Sequence, residues 1–185
     1  MSLSRRRVLE AFGAALVAGG VGLAFVRSRG YPPVPGAAPS ALDRSRYALV
    51  RAVAARVCAP DAAGPPSADD VDVAGFVDAY VSKMAGPQRG DLLKFLDFIE
   101  QLAPAMTLRA ASRFTRLSAG DQDRVLAALE ASEVDLLRGG FAGLKALVFM
   151  GYYRDPRTWS VLGYDGPSLG RPVPPWPMRV GGVPT

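Results

Sequence analysis

Apolar residues recur at steps of three and four from residue 43 onward, a spacing typical of amphipathic helices rather than strands. The first predicted helix covers about 43–58. The second follows a loop rich in proline and aspartate, with Asp69 or Asp70 as its predicted N-cap, and Gly86-Pro87 is predicted to end it. The apolar stripe of the second helix comprises Val73, Phe76, Val77, Tyr80 and Met84.

The third predicted helix, about 89–103, carries apolar residues on two faces. They are Leu92, Leu96 and Ile99 on one face and Phe95, Phe98 and Leu102 on the other. A helix that is apolar around most of its girth is either central in a bundle or partly covered by another chain. In a domain of this size we favour the central position.

Helical signals continue after this element. Pro104 breaks or kinks the third helix, and a shorter helical stretch follows to about Leu117. Ser118 and Asp121 have the spacing of a capping box and open the next helix. Its inner side carries Val125, Leu126 and Leu129.

The last long helix has the strongest periodic pattern in the chain. Ser132 and Asp135 repeat the capping spacing at its start. Gly139, Gly140 and Gly143 weaken a helix intrinsically, which predicts that a neighbour approaches closely there. The apolar stripe comprises Val134, Leu137, Phe141, Leu144, Val148 and Tyr152.

These elements predict an all-α fold, a small bundle of about five to six helices. The chain of 185 residues is long enough for one such domain. The bundle is predicted to cover 43–167. A signal or anchor segment with its linker covers 1–37, and an extended proline-rich tail covers 168–185.

The first 30 residues have the pattern of an export signal. Arg5, Arg6 and Arg7 precede the uncharged segment 11–26, which as a helix would span roughly 24 Å, short of the roughly 30 Å hydrocarbon core. The order Ser-Arg-Arg-x-hydrophobic-Leu resembles the twin-arginine signal, an address that a receptor reads on proteins exported already folded. We therefore predict a periplasmic protein with Arg5 and Arg6 as its export residues.

Two alternatives stay open for this segment. The arginines also suit the flank of an ordinary anchor helix. Residues 35–38, Pro-Gly-Ala-Ala, are the nearest candidate for a cleavage site of small residues. Without cleavage the segment would anchor the protein to the inner membrane, and the prolines behind it would stiffen the linker.

Composition excludes several kinds of chemistry. The chain has no histidine and a single cysteine, Cys58, so it lacks a histidine general base, a haem axial histidine, an intrachain disulfide and a Cys-x-x-Cys site. We expect no metal, haem or flavin in this chain. Cys58 lies on the apolar stripe of the first helix, a position that favours a small core residue over a reactive thiol or an intersubunit disulfide.

The net charge of +5 does not indicate a nucleic-acid partner. Five arginines and one acid lie in the first 30 residues, which leaves 17 basic and 16 acidic residues in the rest of the chain. A protein that binds nucleic acid needs clustered positive charge along one face. We therefore expect no nucleic-acid binding.

The most specific stretch is 151–167, GYYRDPRTWSVLGYDGP. It resembles the C-terminal signature of the gluconate 2-dehydrogenase subunit 3 family, in which an aromatic pair after the last helix is followed by Asp-Pro and a Gly-Tyr-x-Gly-Pro-like turn. Two further segments are similar to the family's first two helices and to its Phe-x-x-Leu-Ser segment, namely RVCAPDAAGPPSADDVDVAGFVDAYV and RFTRLSAGDQDRVLAALE. The resemblance covers about 51–167.

The resemblance implies a non-catalytic small subunit of a periplasmic, flavin-dependent sugar or alcohol dehydrogenase complex. In this family the large subunit is a flavoprotein of the glucose-methanol-choline oxidoreductase type that holds FAD and substrate, and a cytochrome c commonly accepts the electrons. The small subunit supports maturation and export of the large one, so the twin-arginine translocase is a further expected partner. The alternatives are a free-standing, membrane-anchored helical scaffold or ligand-binding domain, and an independent small enzyme.

The predicted partner interface consists of Tyr152, Tyr153, Trp159 and Tyr164. Aromatic side chains are enriched where proteins bind one another, although rings that fold back and close the end of the bundle are almost equally favoured. Arg154, Asp155 and Asp165 suit turns better than a reaction centre, because Asp-Pro and Asp-Gly are ordinary turn dipeptides. No catalytic, cofactor-binding or metal-binding residue is predicted.

Overall fold

The structure is a computed structural model that describes residues 30–31, 38–58, 64–108 and 112–167. The described residues form six α-helices and two 3-10 helices and contain no strand. The α-helices are α1 Arg44–Val57, α2 Val73–Ser82, α3 Gly86–Gln101, α4 Ala103–Leu108, α5 Ala119–Glu130 and α6 Asp135–Tyr153, and the 3-10 helices are Phe114–Arg116 and Pro156–Leu162. The predicted all-α bundle is confirmed.

Helix α1 is the centre of the bundle. It packs against α2, α3, α5, α6 and the first 3-10 helix, and Leu49, Val50 and Val53 are fully enclosed on it. The prediction that the third helix is central was wrong. Only Leu96, Ile99 and Glu100 of α3 are buried. On its second apolar face, Phe95 and Phe98 are partly buried and Leu102 is exposed.

The N-cap of α2 differs from the prediction. Asp72 accepts a hydrogen bond from the amide of Gly75 at 3.0 Å, whereas Asp69 and Asp70 lie in the preceding turn. Asp69 forms an ion pair with Arg51 at 2.5 Å, and Asp70 accepts from the amide of Ser67 at 2.9 Å. Burial of Val71 and Val73 on both sides of Asp72 moves the helix start to that residue.

The prolines act at helix starts. Helix α2 ends at Ser82, before the Gly86-Pro87 pair that was predicted to stop it, and Pro87 lies in the first turn of α3. A proline fits there because the amides of the first turn have no intrahelical partner. The break at Pro104 is confirmed, and α4, which contains Pro104, ends at Leu108. Residues 109–111 lie outside the described part of the chain.

The two predicted capping boxes have different outcomes. Ser118 caps α5 as predicted, accepting from the amide of Asp121 at 3.2 Å and donating its hydroxyl to the Asp121 carboxylate at 2.8 Å. Helix α6 instead has Val134 at its N-cap, with no side-chain cap. Ser132 accepts from the amide of Val134 at 3.2 Å, so its hydroxyl serves the turn before the helix.

The segment before α1 is held to α2 by a buried carboxylate. Asp78 accepts hydrogen bonds from the amides of Ser40, Ala41 and Leu42 at 2.7 to 2.9 Å and from the Ser40 hydroxyl at 3.0 Å. Burial acts to raise the pKa of Asp78, but these hydrogen bonds outweigh it and hold that pKa below the usual value. The charged carboxylate therefore fixes how the chain enters α1.

Candidate functional site

Tyr152, at the end of α6, belongs to the core. It is 2% exposed, and its hydroxyl donates to the carbonyl of Pro66 at 2.9 Å. This bond attaches the loop before α2 to the end of α6. Because the ring is enclosed, Tyr152 stabilises the fold of this chain and has little exposed surface.

The other three aromatic residues form a partly open cluster after α6. Tyr153 is half-buried and packs edge-on against Tyr152, with ring centroids 5.1 Å apart. The indole of Trp159 donates to the carbonyl of Tyr153 at 2.8 Å, and its ring meets Tyr164 at 5.1 Å. Tyr164 is the most exposed of the four at 46%. The predicted interface at this segment stays a prediction, with Tyr164 and the open part of Trp159 as its accessible surface.

The charged residues beside these rings build the turn. Asp155 accepts from the amide of Arg157 at 2.9 Å and pairs with its guanidinium, which lowers the pKa of Asp155 to about 2. Arg154 donates to the carbonyl of Val71 at 3.1 Å and lies over the ring of Phe76. Asp155 therefore holds the local turn, as its interpretation as a turn residue predicts, whereas Arg154 connects the end of α6 to the start of α2.

A second surface, which the sequence did not predict, is an apolar groove between α3 and α6 with the end of α2 as a third wall. We call it the α3–α6 groove. Its cavity volume is about 420 Å³. The apolar walls include Leu92 and Phe95 of α3 and Leu136, Leu147 and Met150 of α6.

Nothing in the described part of the chain covers this groove. Leu136 is 80% exposed, and Tyr80 and Met150 at its edges are also exposed. Burying a side chain of this size is worth about 1.5 to 3 kcal/mol, so several exposed at one place make the groove a candidate contact site. The apolar residues around most of the girth of α3 were the sequence signal, since Leu92 from one apolar face and Phe95 from the other both line this groove.

The three glycines of α6 have different environments. A Cβ atom on Gly140 would lie 2.8 Å from the Phe95 ring, so the predicted close approach is confirmed at that position. A Cβ atom on Gly139 or Gly143 would meet nothing within 4 Å. Packing within the described bundle therefore does not require glycine at 139 or 143. Because both residues line the groove, its floor carries no side chain at these two positions.

Asp91 is the one charged residue that lines the groove within the described part of the chain. Its carboxylate lies 3.2 Å from the ammonium group of Lys94, and both side chains are exposed. An exposed pair of this type adds at most about 1 kcal/mol to stability.

The most buried ionic group lies at the other end of α3. Glu100 accepts hydrogen bonds from the hydroxyl of Tyr31 and from the Thr115 hydroxyl, the latter at 2.7 Å, and Arg113 Nε lies 3.9 Å from its Oε1. Burial raises the pKa of the Glu100 carboxyl, with the hydrogen bonds and Arg113 opposing it. Glu100 thus joins α3, the first 3-10 helix and the segment before α1.

Cys58 is buried in the core cluster. Burial raises the pKa of its thiol to about 12, so almost none of the reactive thiolate is present near neutral pH. The interpretation of Cys58 as a core residue is confirmed.

Several predicted features lie outside the described residues, namely Arg5, Arg6, residues 35–37 of the candidate cleavage site and the tail 168–185. Within the described ranges, no three Cys, Asp or Glu side chains come together as a metal-binding group. No helix in the same ranges has the length and apolar character needed to cross a membrane.

Comparison with known proteins gives one match. The family model described as Gluconate 2-dehydrogenase subunit 3 matches residues 44–166, from the first turn of α1 to the glycine of the Asp-Gly turn. The searches of curated proteins and of solved structures gave no significant match. The matched range spans the whole described bundle and most of the chain, and the chain therefore belongs to the gluconate 2-dehydrogenase subunit 3 family.

Proposed function

We propose that this chain is the non-catalytic small subunit of a periplasmic, flavin-dependent sugar or alcohol dehydrogenase complex. It binds the FAD-containing subunit, of the glucose-methanol-choline oxidoreductase type, and supports its maturation and twin-arginine export. A cytochrome c takes the electrons in that complex. FAD is assigned to the partner on the resemblance described above, and family membership supports the presence of a dehydrogenase partner.

The observation that carries this proposal is the open α3–α6 groove. A subunit whose work is to hold another protein needs an apolar surface left uncovered by its own fold, and Leu136 and Met150 border such a surface. Contact sites of stable complexes are apolar at their centre. We assign the groove to the flavoprotein subunit.

The use of the buried charges supports a non-catalytic role. Asp78 holds the segment before α1, and Glu100 holds Tyr31 and Thr115. Each carboxylate is occupied by hydrogen bonds within the fold. A catalytic acid or base needs access to a substrate atom at hydrogen-bond distance, which these two groups do not offer.

Co-purification of the flavoprotein with a tagged subunit tests partner binding. We expect wild type to retain a protein with flavin absorbance through gel filtration, and Leu136→Asp to lose it with an unchanged melting temperature, because Leu136 is mostly in water. The matched control is Met106→Asp on α4, also exposed and away from the groove. Equal retention by both variants would exclude the groove as the contact site, and absence of a flavoprotein with wild type would refute the proposal.

Cell fractionation tests the export role. Arg5→Lys combined with Arg6→Lys keeps the charge and removes the guanidinium geometry. We expect both this chain and the flavoprotein to stay in the cytoplasm of cells that carry the double variant. Export of both at the wild-type level would contradict the twin-arginine role, while leaving the interaction measured by co-purification intact.

A further inference from the structure

Tyr31 is part of the core although it lies just after the N-terminal apolar segment. It is 8% exposed, and its hydroxyl donates to Glu100 of α3, 69 residues further along the chain. Its ring lies against the guanidinium of Arg113, 4.0 Å from the ring centroid. The residue before it, Gly30, accepts a hydrogen bond from Arg113 Nη2 at 3.3 Å.

The pocket that receives Tyr31 is built from side chains that are themselves buried. Glu100 is 3% exposed and Arg113 is 5% exposed. Thr115 donates to Glu100 with its amide at 3.2 Å and its hydroxyl at 2.7 Å. The phenol supplies a hydrogen-bond donor to the carboxylate, and its ring covers the guanidinium.

Loss of Tyr31 would leave both ions without these contacts. A buried charged group that loses its hydrogen-bond partner is strongly destabilising, more so than the loss of a neutral contact. Proteolysis at residues 35–38, where the sequence offers a small-residue cleavage site, separates Tyr31 from the bundle. Cleavage at 35–38 would therefore remove a residue, Tyr31, whose contacts stabilise the described fold.

We infer that the mature protein keeps Tyr31, so that any removal of the N-terminal segment takes place before Tyr31 and not at 35–38. Tyr31 and the Glu100–Arg113 pocket then form a permanent attachment of the N-terminal stem, the residues up to Tyr31 that the mature chain keeps, to the helical bundle. The attachment joins the stem to α3 and the first 3-10 helix. This inference does not depend on the identity of the partner or on binding at the α3–α6 groove.

The N-terminus of the protein made in its own cells gives the direct test. The protein is purified from those cells and examined by intact mass and by N-terminal sequencing. We expect a mass that includes Tyr31, whether the chain begins at Met1 or at a residue closer to Tyr31. A mature chain that begins anywhere after residue 31, such as after the 35–38 site, would overturn the inference.

Substitution at Tyr31 in the full chain tests the attachment itself. Tyr31→Ala removes the ring and the hydroxyl, and we expect its melting temperature to fall by roughly 5 to 10 °C, the scale for losing a buried contact in a domain of this size. Tyr31→Phe removes only the hydroxyl, and its melting temperature should fall by less. This variant replaces Tyr31→Ala in the test if the alanine variant does not fold. Tyr164→Phe, at an exposed ring, is the control and should match wild type. A melting temperature of Tyr31→Ala equal to that of wild type would overturn the inference.

Discussion

Replacing Gly143 with leucine should separate the stability of the subunit from its ability to bind the flavoprotein. Gly143 lies in the interior of α6 on the floor of the α3–α6 groove. Its Cβ position has nothing within 4 Å. The new side chain therefore enters space that is open in the free subunit and that the partner fills in the proposed complex.

The free subunit should become more stable. Leucine is more favourable than glycine in a helix interior by about 0.7 kcal/mol, and part of this gain comes from the smaller backbone entropy of the unfolded chain. With no atom to collide with at the Cβ position, no packing cost opposes it there. We expect the melting temperature to rise by roughly 2 to 3 °C.

Partner binding should weaken at the same time. Additional carbon atoms in a well-packed contact cost about 1 to 3 kcal/mol, which corresponds to a Kd about 5- to 150-fold higher. Thermal melting of the subunit alone and calorimetric titration with the purified flavoprotein measure the two effects separately. A variant that is more stable and binds less tightly is not explained by general damage to the fold.

Gly90→Leu on α3 is the matched control. Gly90 also lies inside a helix with nothing within 4 Å of its Cβ position, and it does not line the groove. It should raise the melting temperature similarly and leave the Kd unchanged. The reasoning fails if Gly143→Leu binds the flavoprotein as tightly as wild type does, or if both leucine variants weaken binding equally.

Three further predictions concern single residues. Asp78→Asn should lower the free energy of unfolding by about 2 to 4 kcal/mol in chemical denaturation, since amides at 2.7 to 2.9 Å lose a charged acceptor. Because the pKa of Asp78 is lowered by folding, its contribution is full above the unfolded pKa of about 3.9 and is lost as pH falls through the folded pKa, a dependence that Asp78→Asn should lack. Cys58, with a thiol pKa raised to about 12, should react with a thiol reagent at pH 8 only as fast as the protein unfolds, and rapid labelling of the native protein would contradict its burial. Tyr164→Ala should leave the melting temperature within about 1 °C of wild type and raise the Kd for the flavoprotein about 30-fold, as a hot-spot residue does, whereas an unchanged Kd would exclude the ring from the interface.

The helices could be predicted from the sequence because their apolar periodicity is a local property. The start of α5 was also predictable, since Ser118 and Asp121 satisfy each other's hydrogen bonds within one turn. The start of α2 was not. Three aspartates compete there, and Asp72 caps the helix because the buried valines on either side of it fix the path of the chain. Which of the three aspartates caps α2 is therefore decided by tertiary packing and not by local sequence.

The contact between Tyr31 and Glu100 could not be predicted either. The sequence shows a tyrosine in a linker and a glutamate at the polar edge of a helix, and each residue alone is ordinary at the surface. Their pairing depends on the path by which residues 30–31 return to the end of α3. Composition and spacing carry no information on that path. The burial of Glu100, which is only 3% exposed, was therefore not predicted.

Helix α3 shows why the two interpretations of an apolar helix could not be separated by pattern alone. Its first face divides along its length, with Leu96 and Ile99 enclosed and Leu92 lining the groove. Its second face divides as well, since Phe95 lies against Gly140 while Leu102 is exposed. The same residue types on one helix can therefore be enclosed or exposed, because burial depends on which neighbouring elements pack there. The described fold has no atom within 4 Å of the Cβ position of Gly139 or Gly143, so it gains no packing contact from these two glycines, which cost helix stability. In the proposed complex the space that they leave open is filled by the partner.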